Sequence, residues 1–170
     1  ITACKLYRID LATLAIGSPY DLFASLSRYT YDMAWDGTSV WTATGVGGTV
    51  ELRSHDATTL AVTATHTLGA TSNASLTIAA DGAGAIFIGR IDYAKIKAYQ
   101  PGSSTTLWTV DYGQVGALIC TPSLLFADVV GVTSIDPATG AVIVAATEEA
   151  FGGFVAYGPD VAYWRLKVTI

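Results

Sequence analysis

Hydrophobic and polar residues alternate along most of this chain. Leu6-Tyr7-Arg8-Ile9, Val50-Glu51-Leu52-Arg53, Ile96-Lys97-Ala98-Tyr99 and Ala162-Tyr163-Trp164-Arg165-Leu166-Lys167-Val168 all step with a period of two. That period belongs to a β-strand with one face in a core and the other toward solvent or a neighbouring layer. Only Tyr20 to Arg28 admits a turn or two of helix. Short strands between regular turn signals predict an all-β sandwich, barrel or propeller.

An internal repeat chooses among these. One hairpin runs from Tyr31-Asp32-Met33-Ala34 through Trp35-Asp36-Gly37 into Ser39-Val40-Trp41-Thr42. A second runs from Leu76-Thr77-Ile78-Ala79-Ala80 through Asp81-Gly82 into Ala85-Ile86-Phe87-Ile88. Asp-Gly suits such tips because glycine adopts positive φ without steric cost. Third and fourth copies turn at Pro122-Ser123 and Gly158-Pro159-Asp160. A second turn, rich in Ala, Thr and Pro, follows each hairpin at Asp56-Ala57-Thr58, Gln100-Pro101-Gly102 and Asp136-Pro137-Ala138-Thr139. The fourth instance lies at the other end of the chain, at Asp10-Leu11-Ala12-Thr13. The interval from Asp36 to Asp56 equals that from Asp81 to Pro101, and from Pro122 to Pro137 it is shorter. From Pro159 a similar interval is completed only by passing from Ile170 to Ile1.

The expected architecture is therefore a four-bladed β-propeller-like ring, closed by N- and C-terminal strands sharing one blade. The repeats fall near residues 31–69, 74–113, 117–149, and 153–170 with 1–19, all in one domain. Four units in 170 residues give about 42 residues each, within the roughly 40–45 of a propeller blade. Joining the ends hides two sheet edges that would otherwise invite aggregation. A β-sandwich or jelly roll is the alternative, and neither requires the two chain ends to complete one repeat.

The segment YDMAWDGTSVWTATGVGGTVELRSHDATTL resembles a blade of the YncE-like, NHL-like and streptogramin-lyase-like β-propellers, in which a strand leads into Asp-Gly and then an aromatic residue. LTIAADGAGAIFIGRIDYAKIKAYQPGSSTT repeats it. The likeness is clear from Tyr31 to Thr106 and weak from Ala117 to Glu148, and Gly158-Pro159-Asp160 replaces Asp-Gly in the last unit. The resemblance implies the architecture. Such blades occur in bacterial surface proteins, secreted binding proteins and phage tail or fibre proteins. Lyases of this type use a histidine and a metal at one end of the channel, and no histidine stands at a matching loop here.

Composition narrows the chemistry. Nine basic residues face fourteen acidic ones for a net charge of −5, which excludes a phosphate-tracking nucleic-acid binder. No apolar run approaches the ~20 residues of a membrane-spanning helix, so no membrane insertion is expected. A chain that begins at Ile1 reads as a processed product or a segment of something longer. Cys4 and Cys120 are too few for a disulfide framework or a structural zinc site and read as buried thiols. His55, in the outer turn of the first repeat, and His66, on the following strand, read as exposed or half-buried peripheral residues. No Ser-His-acid trio assembles and no nucleophile elbow occurs, so no catalytic residue, metal or cofactor is expected. Asp36 and Asp81 read as turn formers whose side chains cap local amides, and Glu148-Glu149 reads as a solvated loop.

Binding surfaces remain. Loops that enter the innermost strands, or join second strands to third, open on one face of a propeller. They carry Tyr20, Asp21, Arg90, Asp92, Tyr93, Asp111, Tyr112, Glu148 and Phe151. Aromatic rings among acids and an arginine suit a partner subunit or a glycan. Charged residues are only 14% of the chain, against about 25% in a typical soluble domain, which favours extensive contact with other proteins. The expectation is a non-enzymatic structural or adhesive module, extracellular or on a virion surface. It would be displayed on an exterior assembly such as a phage appendage or decoration, or a cell surface, with other protein subunits as partners. A glycan-binding lectin is the alternative, with a surface glycan as partner, and a small propeller lyase or hydrolase is the second.

Overall fold

The computed structural model describes residues 5–22, 28–46, 49–70, 76–90, 95–100, 105–111, 115–128 and 132–144. Three four-stranded antiparallel meanders follow one another along the chain. The first contains β3 (Arg28–Trp35), β4 (Ser39–Val46), β5 (Thr49–Asp56) and β6 (Val62–Ala70). The second contains β7 (Leu76–Ala80), β8 (Ile86–Arg90), β9 (Lys95–Tyr99) and β10 (Thr106–Asp111). The third contains β11 (Ala117–Cys120), β12 (Leu125–Asp128), β13 (Val132–Ile135) and β14 (Val142–Val144). A two-stranded hairpin, β1 (Lys5–Leu6) with β2 (Tyr20–Asp21), precedes them and is extended by an Ile9–Ile16 bridge. Tyr20–Asp21 and Arg28, at the two ends of the stretch that admitted a helix, are strand. Joining the chain ends in one sheet involves residues 145–170, which lie outside the described residues, as does Glu148-Glu149.

Two kinds of turn recur among the described residues, and side-chain oxygens hold both. At the first hairpin tip, Asp36 Oδ1 accepts the N–H groups of Thr38 and Ser39, and Oδ2 accepts Trp41 Nε1–H. At the second, Asp81 Oδ1 accepts three amides, those of Ala83, Gly84 and Ala85. Gly37 and Gly82 take φ of +94° and +73°, as a tight tip demands. In the third tip Thr121 replaces the aspartate, its hydroxyl accepting the amides of Ser123 and Leu124. The outer turns follow a second rule. Asp10, Asp56 and Asp136 each accept amides two or three residues on, and Thr13, Thr59 and Thr139 each accept the amide two residues further. Between Thr and that amide the chain passes through left-handed backbone, at Leu14, Leu60 and Gly140.

The sheets stack face to face in chain order. Trp41, Ala43, Val50 and Leu52 of the first sheet meet Leu76, Ile78, Ile86, Ile88 and Tyr99 of the second. The second sheet's other face supplies Ala79, Phe87, Ile96 and Ala98 against Leu118, Leu125, Ala127 and Ile135 of the third. Leu6 and Leu22, with Tyr20, pack on Leu60 and Val40 of the first sheet. The middle sheet is thus covered on both faces, which is why β7 is apolar or small along nearly its whole length.

Innermost strands β3, β7 and β11 lie side by side, and polar bonds stitch them. Asp32 Oδ2 accepts both the Thr77 hydroxyl and the Ile78 amide at 3.1 Å, and Thr77 Oγ1 accepts the Leu118 amide at 3.2 Å. Farther out, Trp108 of β10 stacks beside Phe87 and donates Nε1–H to the Pro137 carbonyl at 2.9 Å, with its ring against Gly140. A Cβ at Gly140 would lie 2.7 Å from that ring, at a φ of +76° that side chains rarely adopt. Gly140→Ala is therefore expected to destabilise the fold by about 2–3 kcal/mol, read as a lowered urea midpoint with an unchanged m-value.

Candidate functional site

The face expected to bind is the sheet end opposite the aspartate-capped tips. At this end of the second sheet, Arg90 closes β8 and stands opposite Lys95, which stands opposite Asp111 at the end of β10. Lys95 Nζ reaches Asp111 Oδ1 at 3.2 Å. The N-terminal hairpin repeats the arrangement, with Lys5 opposite Asp21 and an ion pair of 3.1 Å. Two of the three aspartates of the expected site, Asp21 and Asp111, are thus engaged across strands by lysine. Being exposed, each pair contributes well under about 1 kcal/mol to stability and leaves carboxylate surface free to meet a partner. Tyr20 is half-buried and meets the His55 ring edge-on at 6.0 Å, so its ring serves packing between the hairpin and the first sheet. Asp92, Tyr93, Tyr112, Glu148 and Phe151 lie outside the described residues. The structure accordingly brings together Arg90, Lys95 and Asp111, and places Asp21 at the matching end of the hairpin.

In the first sheet the position matching Lys5 and Lys95 carries Glu51. Its Oε2 accepts Arg53 Nη2 at 2.7 Å and Nε at 3.1 Å, and Arg53 Nη1 continues to the Leu22 carbonyl at 3.2 Å. This pair is largely buried and ties the N-terminal hairpin to the first sheet. The lysine and aspartate partners are cross-strand neighbours whose relation emerges only from strand register.

The histidines divide. His55 was expected at the periphery, exposed or half-buried, and is instead fully buried, with 0% of its surface exposed. The outer turn folds over it, so that its Nδ1 lies 3.0 Å from the Leu60 carbonyl while Nε2 lies 3.0 Å from Thr42 Oγ1. A carbonyl only accepts, so Nδ1 carries the proton and Nε2 accepts from the threonine hydroxyl. Burial pushes its pKa below the ordinary value, the Leu60 bond opposes this, and the Arg53 charge adds to the lowering. His66 is half-buried, as expected, and stacks on Trp41 at 6.1 Å.

The His66 Nε2 is buried without a hydrogen-bond partner, whereas several other reactive groups of the described residues are engaged. Hydrogen bonds from the Thr13 and Thr59 amides lead in holding Asp10 and Asp56 below the usual carboxylate range. At Asp36 burial pushes upward, and bonds from Ser39, Trp41 and Thr38 outweigh it. The Cys120 thiol is half-buried and donates to the Thr121 carbonyl at 3.1 Å. Burial, followed by the charge of Asp81, pushes its pKa up to about 12, the setting of an inert thiol. Cys4 lies outside the described residues. Among the described residues no three His, Cys, Asp or Glu side chains gather as a metal site, and no helix is long and apolar enough to cross a membrane.

No family model and no curated protein matches the sequence. Solved structures do match, propeller-type folds among them. Glutaminyl cyclase of Myxococcus xanthus superposes with a TM-score of 0.57 at 18% identity, over 82% of this chain and 60% of that one. Hydrazine synthase of Kuenenia stuttgartiensis gives 0.60 at 13%, over 77% and 39%. BamB from Moraxella catarrhalis gives 0.56 at 17%, over 77% and 40%. The chain spans 60% or less of the length of these three proteins. At such identities the likeness concerns the fold alone: an all-β, propeller-like stack of antiparallel sheets.

His55 generates a pH prediction. Its native pKa lies below the ordinary 6.5, so the unfolded state takes up the proton first as pH falls. The stability it supports is complete above about pH 6.5 and is lost as pH drops below that toward the lowered native value. Urea midpoints are expected to fall between about pH 7 and pH 5 for the native sequence, and more shallowly for His55→Gln. At about pH 7.5 His55→Ala is expected to cost about 2–4 kcal/mol, since it leaves a cavity and an unpaired Leu60 carbonyl.

Proposed function

We propose that this protein is a non-enzymatic, rigid module that displays a contact surface on an exterior assembly, a virion appendage or decoration or a cell-surface structure. Its blades form a four-membered ring, with residues 153–157 and 161–168 joining β1 and β2 in the fourth sheet. The observation that carries this reading is the use to which reactive side chains are put. His55 bridges Thr42 and Leu60, five aspartates cap turns, and the half-buried Cys120 thiol is bonded to a carbonyl. Groups that would perform acid–base or nucleophilic chemistry hold the scaffold together instead, which suits a part whose work is to keep a shape. The Arg90, Lys95 and Asp111 cluster, with its counterpart at Lys5 and Asp21, offers mixed charges for a protein subunit at the rim of an interface.

The test is made on the native source. An antibody against the chain is expected to decorate the outside of particles or cells, and the chain is expected to sediment with them. The double variant Arg90→Ala, Asp111→Ala is expected to lower its occupancy there by roughly tenfold, a loss of about 1.4 kcal/mol of contact energy. Its thermal midpoint should stay within a few degrees of the parent, because an exposed ion pair adds little stability. Recovery of the chain only as a free monomer, or hydrolase or lyase turnover by the purified protein, overturns the proposal.

A further inference from the structure

Each innermost strand presents the same position to the blade before it, and one of the three is bare. Counting three residues back from the tip-capping residues Asp36, Asp81 and Thr121 gives Met33, Ile78 and Leu118. Ile78 is 3% exposed and Leu118 6%, because β3 covers the former and β7 the latter. Met33 is 55% exposed, and Trp35 on the same side of β3 is 51% exposed. Register places both on the face that carries Val40 and Thr42, opposite the face with Ala34 and Trp41 that packs on the second sheet. The backbone repeats the contrast. The amides of Ile78 and Leu118 are donated to the preceding blade, at Asp32 and Thr77, whereas the Met33 amide goes to its own neighbour Asp32 at 2.8 Å.

That no described element covers this position has a topological reason. The N-terminal hairpin segment packs on this side of the first sheet at Val40, Arg53, His55 and Leu60, none of which lies on β3. Lys5 with Asp21 corresponds in register to Lys95 with Asp111, so β1 and β2 correspond to the third and fourth strands of a meander. Among the described residues, no inner strands of that sheet stand beside β3. Residues 145–170 follow β14, and within them Phe154-Val155-Ala156-Tyr157 and Val161-Ala162-Tyr163-Trp164 are two apolar runs divided by Gly158-Pro159-Asp160.

We infer that Met33 and Trp35 form the docking strip for this chain's own residues 153–157, which lie along β3 as β3 lies along β7. The inference rests on the closed-ring reading above and names the contact that completes it. It stands or falls on a different measurement from exterior display, since solution chemistry of the purified chain decides it.

Met33 is the only methionine, so its oxidation reports the strip directly. The full chain is treated with dilute hydrogen peroxide and Met33 sulfoxide is followed by mass spectrometry. Protection of at least about tenfold relative to the guanidinium-denatured chain is expected, independent of protein concentration over a range of about a hundredfold. Ala156→Asp is expected to bring the rate within about threefold of the denatured value, as a buried unpaired charge expels the strand. Cys120, followed with a thiol reagent in a Cys4→Ser background, should remain unreactive in that variant and so separates local release from global unfolding. Rapid oxidation in the native full chain overturns the inference. So does protection that disappears on dilution, which would assign the strip to a second copy. The wild-type rate and its concentration series decide between these outcomes even where Ala156→Asp fails to fold.

Discussion

Every sheet in this molecule depends on satisfying the backbone at tight reversals. A meander of short strands reverses direction three times, and each reversal strands amides that no neighbouring strand can accept. At the described tips the answer is a side-chain acceptor from Asp36, Asp81 or Thr121, and at the described outer turns an Asp and a Thr together, at Asp10 with Thr13, Asp56 with Thr59 and Asp136 with Thr139. Those bonds place the following strand in register, and register decides which residues face which neighbour. The outer turn then becomes a structural surface in its own right. Tyr20 and Leu6 pack against the one at Leu60, and Trp108 against the one at Gly140.

Stacking sheets face to face has a chemical consequence. A strand covered on both sides has little room for charge, so many charged residues stand at strand ends and turns, where they cap amides or pair across strands, while Asp32 and the Glu51–Arg53 pair within strands are held by hydrogen bonds. The low charge content thus has a cause inside the molecule, independent of any partner. The same logic buries His55 as a neutral hydrogen-bonding link: a protonated ring at that depth would face the Arg53 guanidinium. At the sheet ends Arg90 stands opposite Lys95, which pairs with Asp111, and Lys5 with Asp21 repeats that pairing.

Much of this is readable in the residues themselves. Period-two alternation locates the strands, and Asp-Gly locates two tips. Their equal spacing to a second turn locates the repeat, because a blade of fixed strand length needs turns at fixed intervals. The third tip does lie at Pro122-Ser123, but its capping residue is not legible, since Thr121 does with a hydroxyl what Asp36 and Asp81 do with a carboxylate. His55 misleads for a different reason. A polar residue beside an outer turn reads as exposed until the turn folds back and offers the Leu60 carbonyl. Of the candidate site, Arg90 and Asp111 do converge on one sheet end, whereas Tyr20 turns inward to a packing role that no local pattern signals.

Local chemistry by itself determined the all-β class, the turn positions and the repeating unit, because alternation, positive φ and amide capping act over a few residues. Only the tertiary structure decided which side of each strand is covered and by what, hence the fate of His55, the pairing of Lys5 with Asp21 and Lys95 with Asp111, and the bare flank at Met33 and Trp35. Those are relations between residues distant in sequence or facing one another across sheets, and they come into being when the strands align and the sheets stack.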